Sequence, residues 1–301
     1  MVEGKAGTER TGMKKKLVLA GVAILAMVVS GCVASGQGYD KLSGELKAAE
    51  EKIKRLENEL ATAQQEASMP QSRPDVSSAL EQLQRSHLAL QEQVLQLQKQ
   101  LAGIQSTSLT RTFKFESKKT KELTWTVQIP LGTFIYYREL PRPTIFNYHA
   151  MASDPADDTV INSLVQQVRE TVAREGLSKL DEISLILAFA QAITYAEDII
   201  TTGKDEYPRF PVETLFEGAG DCEDTSILAA AIFTRLGYDV ALLLFEQFDH
   251  MGLGINYPLE YGNSWIYEGK RYWYLDASGK RPAGWAPDEY AQTSAYVLPV
   301  K

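Results

Sequence analysis

The chain has 301 residues, of which 44% are hydrophobic and 23% are charged, and its formal net charge is −8. This composition is too apolar for a wholly disordered protein and too mixed for a polytopic membrane protein. Two cysteines are too few for a disulfide-rich scaffold or a cysteine-only zinc site, and the acidic balance argues against a nucleic-acid-binding surface.

The N-terminal region predicts export and attachment to a membrane. Lysines 14–16 precede an apolar run over 17–29 that is shorter than the roughly 20 residues of a spanning helix. A basic segment, a short apolar core and small residues after it are typical of a secretory signal. Val29-Ser30-Gly31-Cys32 resembles a bacterial or archaeal lipobox, which implies cleavage before Cys32 and lipidation of Cys32. We therefore expect residues 1–32 to be a lipoprotein signal peptide, with an uncleaved anchor helix as the alternative. Both place the rest of the protein outside the cytoplasm, at the cell membrane.

Residues 33–109 predict a helical stalk that is interrupted at 69–75. Apolar residues recur three and four positions apart, as in a coiled coil, in two series: Leu46, Ala49, Ile53, Leu56, Leu60 and Ala63, then Leu80, Leu83, His87, Leu90, Val94, Leu97, Leu101 and Ile104. Prolines 70 and 74 separate the two helices, because proline removes a hydrogen-bond donor. The helices form either an intermolecular coiled coil, which would give a homo-oligomer, or one antiparallel hairpin. A solvated helical linker is the alternative.

Residues 110–301 predict one domain of the α+β class. Alternating apolar residues indicate strands within 110–137, and an amphipathic pattern indicates a helix over 160–172. A buried helix is expected over 183–200, followed by a helix and four strands. Helices that precede an antiparallel sheet, without alternating strands and helices, indicate helices packed on that sheet.

One cysteine remains if Cys32 carries lipid, and its position favours chemistry. Cys222 follows the glycine-containing loop 217–221 and precedes the apolar run 227–233, so we expect it in the first turn of a buried helix. Free N–H groups and the helix dipole favour a thiolate there. The alternative is an inert buried cysteine, but its immediate neighbours are acidic. These carboxylates should raise the pKa of the thiol and oppose the dipole.

A thiolate nucleophile needs a base and a group that orients the base. The chain has three histidines: His87 lies in the stalk and His149 precedes the helices of the domain, which leaves His250 as the base by elimination. His250 is expected at the end of a strand. Asp276 directly follows the predicted strand 271–275 and is the candidate orienting residue. An aspartate at the end of a strand also starts turns, which is the alternative.

Around these residues the chain resembles the transglutaminase-like superfamily, and most closely its bacterial and archaeal transglutaminase-like cysteine protease branch. The resemblance covers roughly 110–300 and rests on these motifs: Phe210-Pro211-Val212-Glu213-Thr214-Leu215, Gly220-Asp221-Cys222-Glu223-Asp224-Thr225-Ser226, His250-Met251-Gly252-Leu253-Gly254 and Tyr272-Trp273-Tyr274-Leu275-Asp276. It implies a papain-like core in which Cys222 is the nucleophile, His250 the base and Asp276 the orienting residue.

Three details of the resemblance remain open. The stretch from His250 to Asp276 is long and predicts a hairpin insertion. The backbone N–H of Cys222 supplies one oxyanion donor, and Gln191 is the candidate for the second. Some relatives bind calcium through acidic residues that flank the cysteine, where this chain has Asp221 and Glu223, but the same spacing suits helix capping. We expect no cofactor and no metal.

Together these features predict a membrane-anchored, extracytoplasmic thiol acyl-transfer enzyme. A cysteine peptidase or amidase acting on a protein or peptide substrate is favoured over a cross-linking transglutaminase, because water is always available as the acyl acceptor. A non-catalytic module that binds peptide or cell-wall polymer is the alternative from a different class. The presence of cysteine, histidine and aspartate together favours the enzyme.

Overall fold

The computed structural model of the protein describes residues 37–68, 74–204 and 206–301. The expected signal peptide, the lipidation site Cys32 and most of the proline-containing break therefore lie outside the described residues. The chain divides into two compact units, Met1–Ser106 (unit 1) and Thr107–Lys301 (unit 2).

Unit 1 contains two long helices that pack against each other within one chain, α1 (Gln37–Ala67) and α2 (Pro74–Gln105). Members of the heptad series are buried between them, among them Ala49, Leu90, Leu97 and Leu101. His87 Nε2 lies 3.4 Å from Glu57 Oε1 of the facing helix, so this histidine belongs to the helix contact. Among the described residues, no helix combines the length and the apolar composition needed to cross a membrane.

Unit 2 mixes helices with antiparallel strands and is of the α+β class, as predicted. Its first half contains β1 (Ser108–Phe115), β2 (Leu123–Pro130), α3 (Leu131–Glu139), α4 (Asp158–Glu175), α5 (Lys179–Ala190), β3 (Thr194–Tyr195), α6 (Asp198–Thr201), α7 (Pro211–Glu217) and β4 (Ala219–Gly220). Its second half contains α8 (Cys222–Arg235), β5 (Val240–Phe245), β6 (His250–Ile255), β7 (Ser264–Tyr267), β8 (Lys270–Leu275), α9 (Asp288–Ala291) and β9 (Tyr296–Pro299). Short 3-10 helices cover Ile145–Ser153, Pro155–Asp157 and Glu246–Phe248.

The core lies between helix α8 and an antiparallel five-stranded sheet of order β7-β8-β6-β5-β9. Residues 227–233 of α8 are fully buried because β5 and β6 pack on the helix, as do helices α4, α5 and α7. The register pairs Leu253 of β6 with Leu275 of β8. Because the two strands run in opposite directions, the start of β6 and the end of β8 meet at one edge of the sheet. The hairpin predicted between His250 and Asp276 is formed by β7 and β8.

The prediction of strands throughout 110–137 is wrong at its C-terminal end, where α3 begins directly after β2. Leu131, Phe134 and Ile135 are spaced three and four apart, so a helix turns all three into the core. The Phe134 ring stacks on Phe216 of α7 with centroids 3.8 Å apart. Helical periodicity and this tertiary contact prevail over the β-propensity of the aromatic residues.

The single helix predicted over 183–200 is also wrong, because α5 ends at Ala190. The chain then forms β3, whose Thr194 and Tyr195 pair in parallel with Ala219 and Gly220 of β4. These strand hydrogen bonds connect to the segment just before Cys222. A pairing partner that lies far away in the sequence therefore interrupts an otherwise apolar helical pattern.

Candidate active site

Cys222 is the first residue of α8, as predicted, and an acidic capping box holds the helix start. The Asp221 side chain accepts a hydrogen bond from the backbone N–H of Asp224, and the Asp224 side chain accepts one from the N–H of Asp221. Gly220 is required for this approach, since a Cβ there would lie 2.6 Å from the Asp224 Cβ. Asp221 and Asp224 therefore cap the helix, and Glu223 lies outside this capping box.

The Cys222 thiol sits between the helix start and the sheet. Its Sγ donates to Glu223 Oε2 at 3.0 Å, and one turn later Ser226 Oγ donates to the carbonyl oxygen of Met251, the residue after His250, at 3.2 Å. Burial raises the pKa of the Cys222 thiol well above its ordinary value, and the charge of Glu223 raises it further. Cys222 is thus a protonated thiol at neutral pH. The sequence predicted this direction, because carboxylates beside the thiol raise its pKa against the effect of the helix dipole.

Three carboxylates beside the thiol form what we call the acidic cluster: Asp198, Asp221 and Glu223. Each offers one oxygen within 4.8 Å of the others, so these are the described residues that could hold a cation. Both Asp198 oxygens already accept hydrogen bonds from N–H donors. Burial, followed by the charge of Glu223, raises the pKa of Asp221 to about 8, and burial raises that of Glu223. Asp221 and Glu223 therefore retain protons at pH values where exposed carboxyls are ionised.

A fully buried arginine, Arg209, pairs with the acidic cluster through Asp198. Sequence reasoning assigned this residue only to a loop. Arg209 Nη1 donates to Asp198 Oδ1 at 2.6 Å and to Asp224 Oδ2 at 2.5 Å, and its Nε donates to Glu217 Oε2 at 2.8 Å. The Arg209 backbone N–H also donates to Asp224. The available signal was a charged residue within the apolar and proline-rich segment 207–211. One guanidinium thus joins α6, α7 and the start of α8.

His250 is the first residue of β6, at the predicted strand end. Its Nε2 lies 3.0 Å from the Tyr274 hydroxyl, and its ring stacks on Tyr290 and Phe245 at centroid distances of 5.1 and 6.3 Å. Burial lowers the pKa of His250 below its ordinary value, although the charge of Asp276 acts in the opposite direction. The imidazole is therefore neutral at pH 7.

Asp276 directly follows β8 and lies near His250, but its carboxylate organises a turn. Oδ1 accepts from the N–H and hydroxyl of Ser278 at 3.0 and 2.8 Å and from the N–H of Gly279 at 3.2 Å. Within the described ranges, no hydrogen bond joins His250 to Asp276 or to Cys222. The structure brings the three predicted residues to one edge of the sheet without linking them directly.

Gln191 is not positioned as the predicted oxyanion donor. Its Nε2 donates to the carbonyl oxygens of Asp276 and Arg281 at 2.8 and 2.9 Å, which uses both amide hydrogens. The residue instead ties the end of α5 to the loop after β8. An amide at the end of a buried helix suits this bridging role, because the backbone carbonyls of the loop after β8 need hydrogen-bond donors.

Sequence reasoning gave no role to two tyrosines near the nucleophile, Tyr274 and Tyr195. Tyr274 is the last but one residue of β8, two positions before Asp276. Tyr195 lies beside the Cys222 loop because β3 pairs with β4. Its side chain is about half exposed, and burial together with the charges of Cys222 and Asp221 raises its pKa to about 12. The phenol is therefore a protonated donor within electrostatic range of the sulfur.

A cleft of about 1140 Å³ opens next to this site within unit 2. The β1–β2 hairpin, α5 and the segments 259–261 and 280–283 line it. Gln191 and Arg281 belong to its wall, and Gln191 also contacts the Asp276 backbone. The cleft thus reaches the loop that carries Asp276.

Comparisons with known proteins add no assignment to this geometry. No protein-family model matches the chain, and no curated protein matches it either.

Proposed function

We propose that unit 2 has a papain-like, transglutaminase-like core and acts as a thiol acyl-transfer enzyme, a cysteine peptidase or amidase. Cys222 is the nucleophile, His250 the base, and Asp276 the residue whose charge favours the imidazolium. The observation that carries the proposal is the placement of the thiol at the start of a helix that contacts the start of β6, where Ser226 Oγ donates to the carbonyl oxygen of Met251, the residue after His250, at 3.2 Å. That contact supports a pairing of Cys222 with His250, because the two residues belong to the two segments that it joins.

In this mechanism the resting pair is a thiol and a neutral imidazole. When the two side chains come into contact over bound substrate, the thiol proton passes to His250 and the sulfur attacks the amide carbon. The backbone N–H of Cys222 donates to the developing oxyanion. The imidazolium returns its proton to the leaving amine, the C–N bond breaks, and water then hydrolyses the thioester. The Asp276 carboxylate stabilises the transient imidazolium, since its charge raises the His250 pKa.

The direct test is alkylation of Cys222 by iodoacetamide across pH. The wild type, His250→Ala and His149→Ala are compared, because His149 is the other histidine of unit 2 and its Nδ1 contacts the local carbonyl of Phe146. The Cys222→Ala protein reports any labelling of Cys32. Loss of rate in His250→Ala alone supports the base assignment. A rate and pH profile identical in all three cysteine-containing proteins would contradict it.

One observation favours the alternative of a non-catalytic binding module for peptide or cell-wall polymer. The pKa of Cys222 is raised, and its proton is shared with Glu223 instead of His250. If unit 2 is such a module, the wild type and Cys222→Ala would bind a peptide or peptidoglycan fragment equally well. Neither protein would hydrolyse the bound fragment. Incorporation of a primary amine into a protein substrate would instead identify a cross-linking transglutaminase.

We also propose that Cys32 carries a lipid that anchors the protein outside the cytoplasm, and that α1 and α2 form a coiled-coil stalk. The lipobox-like sequence supports the anchor, and the buried heptad residues support a coiled coil within one chain. Mass analysis of membrane fractions tests the anchor. Cys32→Ser protein that remains equally processed and membrane-bound would contradict lipidation.

A further inference from the structure

Tyr274 is the one described side chain that hydrogen-bonds to His250. Its hydroxyl lies 3.0 Å from Nε2, and its ring is fully buried on β8. The ring packs edge-on against Phe245, with centroids 6.0 Å apart, and contacts Trp265 at 5.8 Å. The phenol is therefore packed against two aromatic side chains, and movement away from the imidazole would disturb the core.

The neighbouring strand leaves space for this ring. A Cβ at Gly252 of β6 would lie 2.5 Å from the Tyr274 Cε2 atom and 3.0 Å from its hydroxyl oxygen. Any side chain at position 252 would thus displace the phenol from His250. The glycine and the tyrosine together bring a hydroxyl to the base.

We propose that Tyr274 is a positioning residue that fixes the tautomer of His250, with Nε2–H donating to the Tyr274 hydroxyl and Nδ1 left to receive the Cys222 proton. The catalytic part of this inference rests on the proposed function. A base must present a lone pair to the thiol, and the phenol already occupies Nε2. Among the described residues Asp276 makes no hydrogen bond to His250, and its Oδ1 accepts from Ser278 and Gly279 instead.

The direction of the hydrogen bond follows from what happens when the base takes up a proton. Both nitrogens of an imidazolium are donors. If the phenol donated to Nε2, the neutral imidazole would carry its proton on Nδ1, and uptake of a proton at Nε2 would require the phenol O–H to turn away before its oxygen could accept. If Nε2–H donates to the phenol oxygen, the same bond persists in both protonation states and becomes charge-assisted in the imidazolium. Tyr274 therefore supports proton uptake at Nδ1 without rearrangement.

The same two strands provide a matched control. Tyr272 is buried on the same face of β8, two residues earlier, and its Cβ lies over Gly254, whereas the phenol end of Tyr274 lies over Gly252. The Tyr272 hydroxyl donates to Asp239 Oδ1 at 2.9 Å, away from His250. Tyr272→Phe thus removes a buried hydroxyl of the same kind without touching the base.

The first experiment is ¹⁵N NMR of the imidazole nitrogens at neutral pH, with His250 assigned by comparison with His250→Ala. We expect the Nε2–H tautomer in the wild type and in Tyr272→Phe, and a mixture of tautomers in Tyr274→Phe. A wild-type imidazole protonated at Nδ1, or a spectrum unchanged by Tyr274→Phe, would overturn the assignment. This readout does not depend on catalysis.

The second experiment is iodoacetamide labelling of Cys222 in the same proteins. Loss of one hydrogen bond that aligns the base should slow labelling on the order of tenfold in Tyr274→Phe. Tyr272→Phe should label at the wild-type rate. If His250→Ala slows labelling and Tyr274→Phe does not, the positioning role fails while the proposed function stands. If His250→Ala has no effect, the proposed function fails, and the NMR result alone decides the tautomer.

Discussion

The two sides of the site differ in the forces that hold them. On the helix side, Cys222 is surrounded by carboxylates, and the Arg209 guanidinium is the cation that pairs with Asp198, Asp224 and Glu217. On the sheet side, His250 is enclosed by the rings of Phe245, Tyr274 and Tyr290. Burial is the largest influence on the pKa of both groups; carboxylate charge adds to it at the nucleophile, and aromatic rings surround the base.

This difference shows why both groups rest in their neutral forms. Burial and nearby carboxylates raise the pKa of the Cys222 thiol, whereas burial among aromatic rings lowers the pKa of His250. Each shift moves the pair away from a thiolate–imidazolium ion pair. The two sides should therefore respond to different perturbations, electrostatic on the helix side and steric on the sheet side.

Removal of the nucleophile should have the largest effect. Cys222→Ala is expected to reduce hydrolysis of the best peptide or amide found by substrate profiling on the order of a thousandfold or more. The control is Cys32→Ser, which removes the other cysteine and should leave the rate intact. Retention of more than about a tenth of the activity in Cys222→Ala would require a mechanism that does not use this thiol.

On the helix side, loss of the buried cation should strongly destabilise the fold. Arg209→Met leaves Asp198 and Asp224 buried without their cation, which is expected to cost about 3–5 kcal/mol of unfolding free energy. The matched control is Arg174→Met, whose exposed ion pair with Glu175 should be worth less than about 1 kcal/mol. Urea denaturation measures both. Equal midpoints for the two variants would contradict the structural role of Arg209.

On the sheet side, a single added methyl group should act through packing. Gly252→Ala drives a Cβ into the Tyr274 ring and is expected to cost about 1–3 kcal/mol. In Gly279→Ala the nearest atom to the new Cβ is 3.8 Å away, an ordinary contact, so the stability should change little. Thermal or urea unfolding of the two variants compares these costs. A tolerated Gly252→Ala would show that the ring has room to move.

The smallest effect should come from neutralising one carboxylate beside the thiol. Glu223→Gln removes a negative charge that opposes ionisation, so the pKa of Cys222 should fall. The pH profile of iodoacetamide labelling should shift toward lower pH, and labelling at neutral pH should become faster. Glu175→Gln, an exposed change on α4, is the control for net charge. A profile that shifts to higher pH would overturn the sign of this electrostatic argument.

Sequence reasoning located the elements of the site because local patterns encode them. The glycine-containing loop before an apolar helical run predicted Cys222 at a helix start, and apolar alternation predicted strand ends at His250 and Asp276. It failed for Gln191 and Arg209, whose hydrogen-bond partners lie elsewhere in the chain. Such partners leave no periodic signal.

The sequence by itself determined the α+β class of unit 2, the two helices of unit 1 and the elements that carry the cysteine, histidine and aspartate. These follow from hydrophobic periodicity and capping, which act over a few residues. The tertiary structure alone decided which partner each polar group takes: Glu223 for the thiol, Tyr274 for the imidazole, and a local turn for Asp276. The physical reason is that buried polar groups bond to whatever donor or acceptor the packing brings within about 3 Å, wherever it lies in the chain.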